Sequence, residues 1–228
     1  MAGAGGGSGA ESATGFAILT VCTGNICRSP VAEHHLRAQL AAVPGVSVSS
    51  AGTMAVEGDD MTPQARQLAE GNGVPPGTHA ARYLREAYLR ESNLVLALSR
   101  EHRREIVSLL PRASRYTFTL REFARLARDI TDSDLSEIAR LPADDAAGRL
   151  AAAVALVASR RGSVEAPQQA TDDDVIDPYR RDDATYSLSG SQLFPASEIV
   201  AGLLTRAVSI RPADTTTGTE RRAERSPS

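Results

Sequence analysis

Val21-Cys22-Thr23-Gly24-Asn25-Ile26-Cys27-Arg28-Ser29-Pro30 lies between an apolar run and a helix-like segment. The run, Phe16–Val21, has the continuous apolar pattern of a buried parallel strand, and the segment 31–40 is typical of a helix. Backbone N–H groups at a tight turn before a helix bind anions, because the helix N-terminus is partially positive. Cys22 opens this loop and Arg28 closes it. The spacing predicts a thiolate beneath a bound oxyanion, with the guanidinium holding two of its oxygens.

The composition predicts one domain with an aliphatic core. The chain has 228 residues, of which 42% are hydrophobic, only 4% are aromatic and none is tryptophan; this length suffices for one well-packed domain. A formal net charge of −3 disfavours nucleic acid as the main partner. Since no apolar run approaches about 18 residues, no membrane span is expected.

Both cysteines of the chain, Cys22 and Cys27, lie in the opening loop. This distribution disfavours a disulfide-stapled secreted fold, and no Cys or His pair elsewhere completes a set of zinc ligands. The N-terminal segment lacks the basic start and apolar middle of a signal peptide. We therefore expect a reduced, cytoplasmic protein that uses no metal and no other cofactor.

Strand-like and helix-like segments alternate along the chain, which indicates an α/β fold with a doubly wound, four-stranded parallel sheet and helices on both faces. Ligands of such sheets bind at the carboxyl ends of the strands, where the loop after the first strand would lie. The predicted strands are 16–21, 46–50, 93–98 and 116–118, and the predicted helices are 31–42, 62–71, a short stretch starting at 79–82, 100–110 and 120–127.

The chain is predicted to form one domain, 15–208, between two disordered tails, 1–14 and 209–228. Residues 129–170 are rich in Asp, Ala and Arg and are interpreted as an insertion with a helix over 147–160. The acidic run Thr171-Asp172-Asp173-Asp174 is interpreted as a solvated loop. A last amphipathic helix is predicted from Pro195 to Val208.

The loop Val21–Pro30, together with Asp177-Pro178-Tyr179, resembles the low-molecular-weight protein tyrosine phosphatases of bacterial type. The match includes the internal Gly24-Asn25, the second cysteine Cys27 and the following Ser29-Pro30. It extends through Ser50-Ala51-Gly52-Thr53, the His79-x-x-Arg82 segment and the strand-helix unit at 93–110. The resemblance covers roughly residues 15–128 and 171–206.

The resemblance implies a role for each matching residue. Cys22 corresponds to the nucleophile, Arg28 to the phosphate-binding arginine and Asp177 to the general acid. The phosphate-binding loop comprises Thr23, Gly24, Asn25, Ile26, Cys27, Arg28 and Ser29. The residues that fix the conformation of this loop are Asn25, Ser29, Ser50 and His79. The substrate cleft is formed by Tyr179 and, where relatives often carry an aromatic residue, by Val56.

These roles predict hydrolysis of phosphotyrosine in proteins through a phosphocysteine. The Cys22 thiolate attacks phosphorus, and the loop N–H groups and Arg28 stabilise the equatorial oxygens. Asp177 first protonates the leaving phenolate and then takes a proton from the attacking water. Cys27 is either a packing residue or a redox partner that forms a disulfide with oxidised Cys22.

Two other functions are considered: an arsenate reductase with the same fold, and a non-catalytic module that binds phosphoproteins. The thioredoxin-coupled reductase chemistry relays oxidation through cysteines outside the loop, and the chain has none, which leaves a reductase that uses Cys22 with Cys27 or an external thiol. The expected partner is a tyrosine-phosphorylated protein, with a bacterial tyrosine kinase as one candidate. His34, His35 and His102 are predicted to lie on helix surfaces, and His79 and Arg82 are predicted to be structural.

Overall fold

Four parallel strands form a single sheet in the order β2-β1-β3-β4. The strands are β1 (Phe16–Cys22), β2 (Val46–Gly52), β3 (Leu94–Ala97) and β4 (Thr117–Thr119). The computed structural model describes residues 15–74 and 76–212. The predicted tail 1–14 and most of the predicted tail 209–228 lie outside these residues. The domain bounds 15–208 stay a prediction.

Helices cover both faces of the sheet, so the predicted α/β architecture is confirmed. A 3₁₀ turn precedes β4 at Pro111–Arg115, and another precedes the last helix at Ala170–Asp173. The α-helices are α1 (Arg28–Gln39), α2 (Pro63–Gly71), α3 (Glu86–Glu91), α4 (Arg100–Leu109), α5 (Leu120–Ala127), α6 (Ser136–Ala139), α7 (Ala146–Ser159) and α8 (Asp183–Ser209).

Alternate side chains of the strands enter two different cores. Ile18 and Leu96 point into the larger core, where they meet apolar side chains of α1, α5, α7 and α8. Leu19 and Val95 point to the opposite face, where α3 and α4 cover them. Because strand residues alternate between the two faces, both faces of the central strands must be apolar, which explains their continuous hydrophobic pattern.

The segment around His79 and Arg82 is not helical, contrary to the prediction. It is extended, Tyr83 forms a parallel bridge with Gly52, and α3 begins only at Glu86. The backbone of Arg82 is engaged with neighbouring segments: its N–H donates to Asn25 Oδ1 and its carbonyl accepts from Gly52 N–H. These long-range bonds replace the local bonds that a helix would make.

The last helix is longer than predicted, because α8 begins at Asp183 and contains Pro195 in its interior. Pro195 suggested a helix start, since proline favours the first turn. The start lies instead at Asp182, whose side chain caps the helix by accepting from Thr185 N–H. Burial of Tyr186 and Leu193 against the rest of the molecule stabilises the earlier turns.

The insertion 129–170 contains α6 and α7, the second of which matches the predicted helix. Arg149 on α7 is only 2% exposed and connects the insertion to the end of α8. Its guanidinium donates to backbone carbonyls on both sides of this junction, those of Ala139, Leu141, Pro142, Val208 and Ile210.

The acidic run is also not the solvated loop that was predicted. Asp173 accepts from Arg125 on α5 through both carboxylate oxygens, at 2.7 and 3.1 Å. Asp174 accepts from the backbone N–H of Arg100 at the start of α4. The run therefore attaches the segment before Asp177 to two helices.

Candidate active site

The loop 22–28 joins the carboxyl end of β1 to the N-terminus of α1. In the strand order β2-β1-β3-β4, the chain leaves β1 toward β2 on one side and reaches β3 on the other. Ligands of open α/β sheets bind at such a switch point. Cys27, at the N-cap of α1, makes no side-chain capping bond, so its own side chain does not occupy the N–H groups at the start of this helix.

Asn25 holds the loop in its shape. Its backbone lies in the left-handed region at φ 55°, which costs energy unless neighbouring groups stabilise it. The side-chain Nδ2 donates to Ser29 Oγ at 2.9 Å and to Ser50 Oγ at 2.7 Å. The carbonyl of Asn25 lies 2.6 Å from His79 Nε2. All the predicted loop-supporting residues thus meet at Asn25.

Gly52, at the end of β2, packs directly against the same loop. A Cβ at this position would lie 2.5 Å from the carbonyl oxygen of Thr23 and 2.8 Å from the backbone nitrogen of Asn25. The following residue, Thr53, donates its N–H to the carbonyl of Cys22 at 2.9 Å. Only glycine allows the two backbones to approach this closely.

Cys22 Sγ lies 3.0 Å from Ser29 Oγ. Ser29 Oγ accepts a hydrogen from Asn25 Nδ2, and its own hydroxyl hydrogen has two acceptors within reach, the Cys22 sulfur at 3.0 Å and the carbonyl of Ala51 at 3.4 Å. Both side chains are buried. A hydroxyl that donates to sulfur stabilises the thiolate over the thiol.

Arg28 connects the loop to the segment that carries Asp177. Its Nη2 pairs with Asp177 Oδ2 at 2.8 Å, and its Nη1 donates to the carbonyl of Val175 at 3.1 Å. The guanidinium is 6% exposed, and its Nε has no hydrogen-bond partner among the described residues. An unpaired buried donor is costly, and an oxyanion at the loop would satisfy it.

Asp177 is half-exposed and lies on a well-anchored turn. Its Oδ1 accepts from the backbone N–H of Tyr179 at 3.1 Å. Upstream, the N–H of Val175 donates to the carbonyl of Leu98 at the end of β3, and the N–H of Ile176 donates to Gln192 on α8. The structure therefore brings Asp177 to Cys22 and Arg28 across about 150 residues of sequence.

A cleft of about 280 Å³ opens above the loop. Its walls include the two residues predicted for the substrate cleft, Val56 and Tyr179, together with Met54 and Asp59. The base is formed by Cys22, Thr23, Gly24, Ile26, Cys27 and Arg28, with Asp177 at one side. Asn25 and Ser29 lie behind this surface and are fully buried.

Cys27 contacts Thr62 Oγ1 at 3.4 Å and the hydroxyl of Tyr186 at 3.6 Å. Burial raises the pKa of the Cys27 thiol above its ordinary value, although these two hydrogen bonds act in the opposite direction. Burial also raises the pKa of Tyr186 to about 12. Cys27 is therefore held as a thiol, and both cysteines are free.

The three histidines predicted to be on the surface are all buried. His34 and His35 lie on the face of α1 that the rest of the molecule covers, and burial lowers the pKa of both. His102 contacts the loop itself, since its Nε2 lies 2.8 Å from Thr23 Oγ1. The prediction failed because neither the sheet order nor the long α8 was available to show what covers these helices.

The loop and the residues that support it lie within a segment that matches the model of a known protein family. A model described as low molecular weight phosphotyrosine protein phosphatase matches residues 17–139, more than half of the chain. This chain belongs to that family. The matched residues include the whole loop and its supports, whereas Asp177 and Tyr179 lie beyond them.

Individual relatives of this phosphatase carry two kinds of name. The chain is 35% identical over 122 residues to a protein-arginine-phosphatase of Geobacillus stearothermophilus, covering 54% of this chain and 78% of the relative. It is 40% identical over 94 residues to the low molecular weight protein-tyrosine-phosphatase Etp of Escherichia coli, covering 41% of this chain and 62% of the relative.

A solved structure extends the likeness beyond residue 139. The YwlE arginine phosphatase of Geobacillus stearothermophilus matches with a TM-score of 0.59 and 25% identity, over 83% of this chain and 93% of that one. Among the described residues of this phosphatase, no helix is both long and apolar enough to span a membrane.

Proposed function

We propose that this phosphatase hydrolyses phosphotyrosine in proteins through a phosphocysteine on Cys22. The observation that carries the proposal is the arrangement at the base of the cleft. The Cys22 sulfur lies 3.0 Å from the Ser29 hydroxyl, and the Arg28 guanidinium contacts the Asp177 carboxylate and has a buried Nε–H without a partner among the described residues. A nucleophile, an oxyanion donor and a proton donor thus surround one point.

In the first step, the Cys22 thiolate attacks phosphorus and the bond to the leaving oxygen breaks. Arg28 and the N-terminal N–H groups of α1 stabilise the negative charge on the phosphoryl oxygens. A phosphoryl group that binds Arg28 competes with Asp177 for the guanidinium. The released Asp177 carboxyl, in its protonated form, then gives its proton to the leaving oxygen.

In the second step, water attacks the phosphocysteine and releases inorganic phosphate. Asp177, now ionised, takes a proton from that water. The Cys22 thiolate is the leaving group, and the hydrogen bond from Ser29 stabilises the charge that returns to sulfur. The enzyme is restored without an external reductant.

The cleft walls favour an aryl ester. The ring of Tyr179 lies beside the cleft and is 43% exposed, and the guanidinium of Arg180 lies 5.0 Å from the centre of that ring. Met54 and Val56, which are exposed, form the opposite apolar wall. A phenyl ring between them would pack on one aromatic and two aliphatic side chains.

Phosphoarginine is a second candidate substrate, and Asp59 favours it. This carboxylate lines the cleft and would attract the positive guanidinium of an arginine side chain. The Geobacillus stearothermophilus relative is named for arginine phosphatase activity. Asp59 distinguishes the two substrates, because the phenolate that leaves phosphotyrosine gains nothing from a nearby negative charge.

The test compares phosphate release from matched phosphotyrosine and phosphoarginine peptides and from aryl phosphates. We expect hydrolysis of phosphotyrosine, no turnover by Cys22→Ser, and a loss of about 100-fold in Asp177→Ala that grows as the leaving group becomes poorer. Asp183→Ala, which removes an exposed carboxylate at the start of α8, serves as the matched control. Unchanged turnover in Cys22→Ser would contradict the mechanism.

Asp59→Asn separates the two substrates. If phosphoarginine is hydrolysed, this variant should lower its kcat/KM about tenfold and leave phosphotyrosine unaffected. Arsenate-dependent thiol oxidation without phosphate release would indicate the reductase instead, and tight phosphopeptide binding without hydrolysis would indicate a binding module.

The partner proposed for this site is a tyrosine-phosphorylated protein, and a bacterial tyrosine kinase is the finer proposal. We also propose a cytoplasmic location, because a nucleophilic Cys22 beside a second free thiol requires a reducing compartment. Both are tested by trapping phosphorylated proteins on Cys22→Ser in cells of the source organism.

A further inference from the structure

A buried chain of three polar side chains leads from α4 to the loop. Ser99 caps α4, His102 follows three residues later, and Thr23 is the residue after the nucleophile. His102 Nδ1 lies 2.9 Å from Ser99 Oγ, and His102 Nε2 lies 2.8 Å from Thr23 Oγ1. The histidine ring is 4% exposed. None of these contacts is required by the chemistry assigned to Cys22, Arg28 and Asp177.

The capping bond favours one direction for the hydrogen bonds in this chain. Ser99 Oγ accepts the backbone N–H of His102, so its own hydrogen is free to be donated to His102 Nδ1. A neutral imidazole that accepts at Nδ1 carries its hydrogen on Nε2. In that tautomer Nε2 donates to Thr23 Oγ1. Burial and, secondly, the charge of Arg28 lower the pKa of His102 to about 3, which keeps the ring neutral.

This direction leaves the hydroxyl hydrogen of Thr23 without an acceptor inside the protein. Within the part of the chain that the structure describes, His102 Nε2 is the one hydrogen-bond partner of Thr23 Oγ1. Thr23 is half-buried and lines the cleft beside Cys22. Its hydrogen can therefore be donated only to a group in the cleft.

We propose that the Thr23 hydroxyl donates to an oxygen of the phosphoryl group above Cys22, and that His102 is a positioning residue that directs it there. Thr23 then contributes a side-chain donor in addition to the backbone donors of the loop. The Nε2–H of His102 prevents the Thr23 hydroxyl from turning back toward α4. This inference rests on the proposed function only in that the cleft binds a phosphoryl oxyanion.

The first test measures the ring directly. In ¹⁵N NMR spectra of the full-length protein labelled on histidine, the two nitrogens of a neutral imidazole have distinct shifts, and the hydrogen should be on Nε2 of His102. His102→Gln, which lacks the ring, assigns the signals. A hydrogen on Nδ1 would overturn the proposal, because Thr23 would then donate to His102 and not into the cleft.

The second test measures binding of inorganic phosphate by calorimetry and KM for an aryl phosphate. Thr23→Val removes the hydroxyl with little change of shape, and Thr23→Ser keeps it. We expect Thr23→Val to weaken phosphate binding and raise KM about tenfold, as expected for a bond to a charged group, with Thr23→Ser close to wild type. Equal phosphate affinity in both variants would overturn the proposal.

A pair of His102 variants tests the positioning role. His102→Gln retains an N–H at the position of Nε2, whereas His102→Leu does not. His102→Leu should weaken phosphate binding nearly as much as Thr23→Val, His102→Gln should restore most of it, and the Thr23→Val/His102→Leu double variant should be no weaker than Thr23→Val. If the losses of phosphate affinity in Thr23→Val and His102→Leu add up in the double variant, the two residues act independently and the positioning role is overturned.

His35→Leu is the matched control, since it removes another buried histidine that does not contact the loop. It should bind phosphate like wild type, and weakening equal to that of His102→Leu would mean that loss of any buried histidine disturbs the loop. Phosphate binding and the NMR signature do not depend on turnover. If the wild type binds phosphate but hydrolyses no ester, the proposed function fails, and the phosphate-binding and NMR measurements still test the roles of Thr23 and His102.

Discussion

At the scale of single residues, Gly52 is the position where a side chain is least tolerated. The atoms that a Cβ would meet are backbone atoms of the loop, so they cannot move aside without disturbing Asn25 and the residues that it supports. We expect Gly52→Ala to lower the free energy of unfolding by about 1–3 kcal/mol and to weaken phosphate binding. Urea unfolding and phosphate calorimetry check the two effects.

Gly202→Ala is the control for that substitution. Gly202 lies within α8, and an added Cβ there meets no heavy atom within 4 Å. Alanine should stabilise the helix by up to about 1 kcal/mol. If both glycine variants behave alike, the loss in Gly52→Ala does not arise from the loop.

The position of Cys22 and Arg28 in one loop between a strand and a helix was predictable, because the two residues and the flanking patterns lie within a short stretch of sequence. It did not show that His102 contacts Thr23, which lies 79 residues away. Ser99 was recognisable as a helix cap, but the ring that shares its hydroxyl points toward β1 only because β3 pairs with β1. Contacts of this kind depend on the sheet order.

At the scale of elements, α5 fixes the segment that carries the proposed acid. Its capping residue Thr119 donates to the carbonyl of Asp173, Arg121 donates to the carbonyl of Asp174, and Arg125 binds the Asp173 carboxylate at both oxygens. The Asp173 side chain is 12% exposed, so its pairing with Arg125 is screened less than a surface ion pair.

We expect Arg125→Met to lower kcat about five- to tenfold, which corresponds to roughly 1–1.4 kcal/mol of activation free energy. Without the ion pair, Asp177 is held less often in position. The loss should be absent when Arg125→Met is added to Asp177→Ala, because both changes then affect the same proton transfer. Arg128→Met, one turn later and exposed, is the control, and steady-state kinetics with a poor leaving group is the measurement.

Elements that are bounded by local signals were predictable, and those defined by distant partners were not. Residues Leu120–Ala127 form a helix as predicted, with a capping box made by Thr119 and Glu122. The start of α8 was placed at Pro195 because proline is a strong local signal. Its earlier turns bury Tyr186 and Ser189, and the helix packs against α1, α2 and α5, which no local pattern contains.

At the scale of the whole molecule, buried neutral histidines connect stability to pH. His102 is neutral in the folded protein, with a pKa lowered from 6.5 to about 3, whereas in the unfolded chain it binds a proton near pH 6.5. Between these two values the unfolded state holds more protons. The contribution of His102 to the free energy of unfolding is therefore fully present above about pH 6.5 and decreases as the pH falls toward 3.

The decrease attributable to His102 amounts to about 1.4 kcal/mol per pH unit within this window. His102→Gln cannot take up a proton, so its free energy of unfolding should fall less steeply than that of the wild type between pH 6 and pH 4. Urea unfolding of both proteins at several pH values measures the two slopes. His34 and His35, whose pKa values are also lowered by burial, contribute equally to both proteins and cancel in the difference. Equal slopes for the two proteins would mean that His102 takes up its proton at the same pH in the folded and the unfolded states. The hydrogen-bond direction from Ser99 to Thr23 would then be wrong as well.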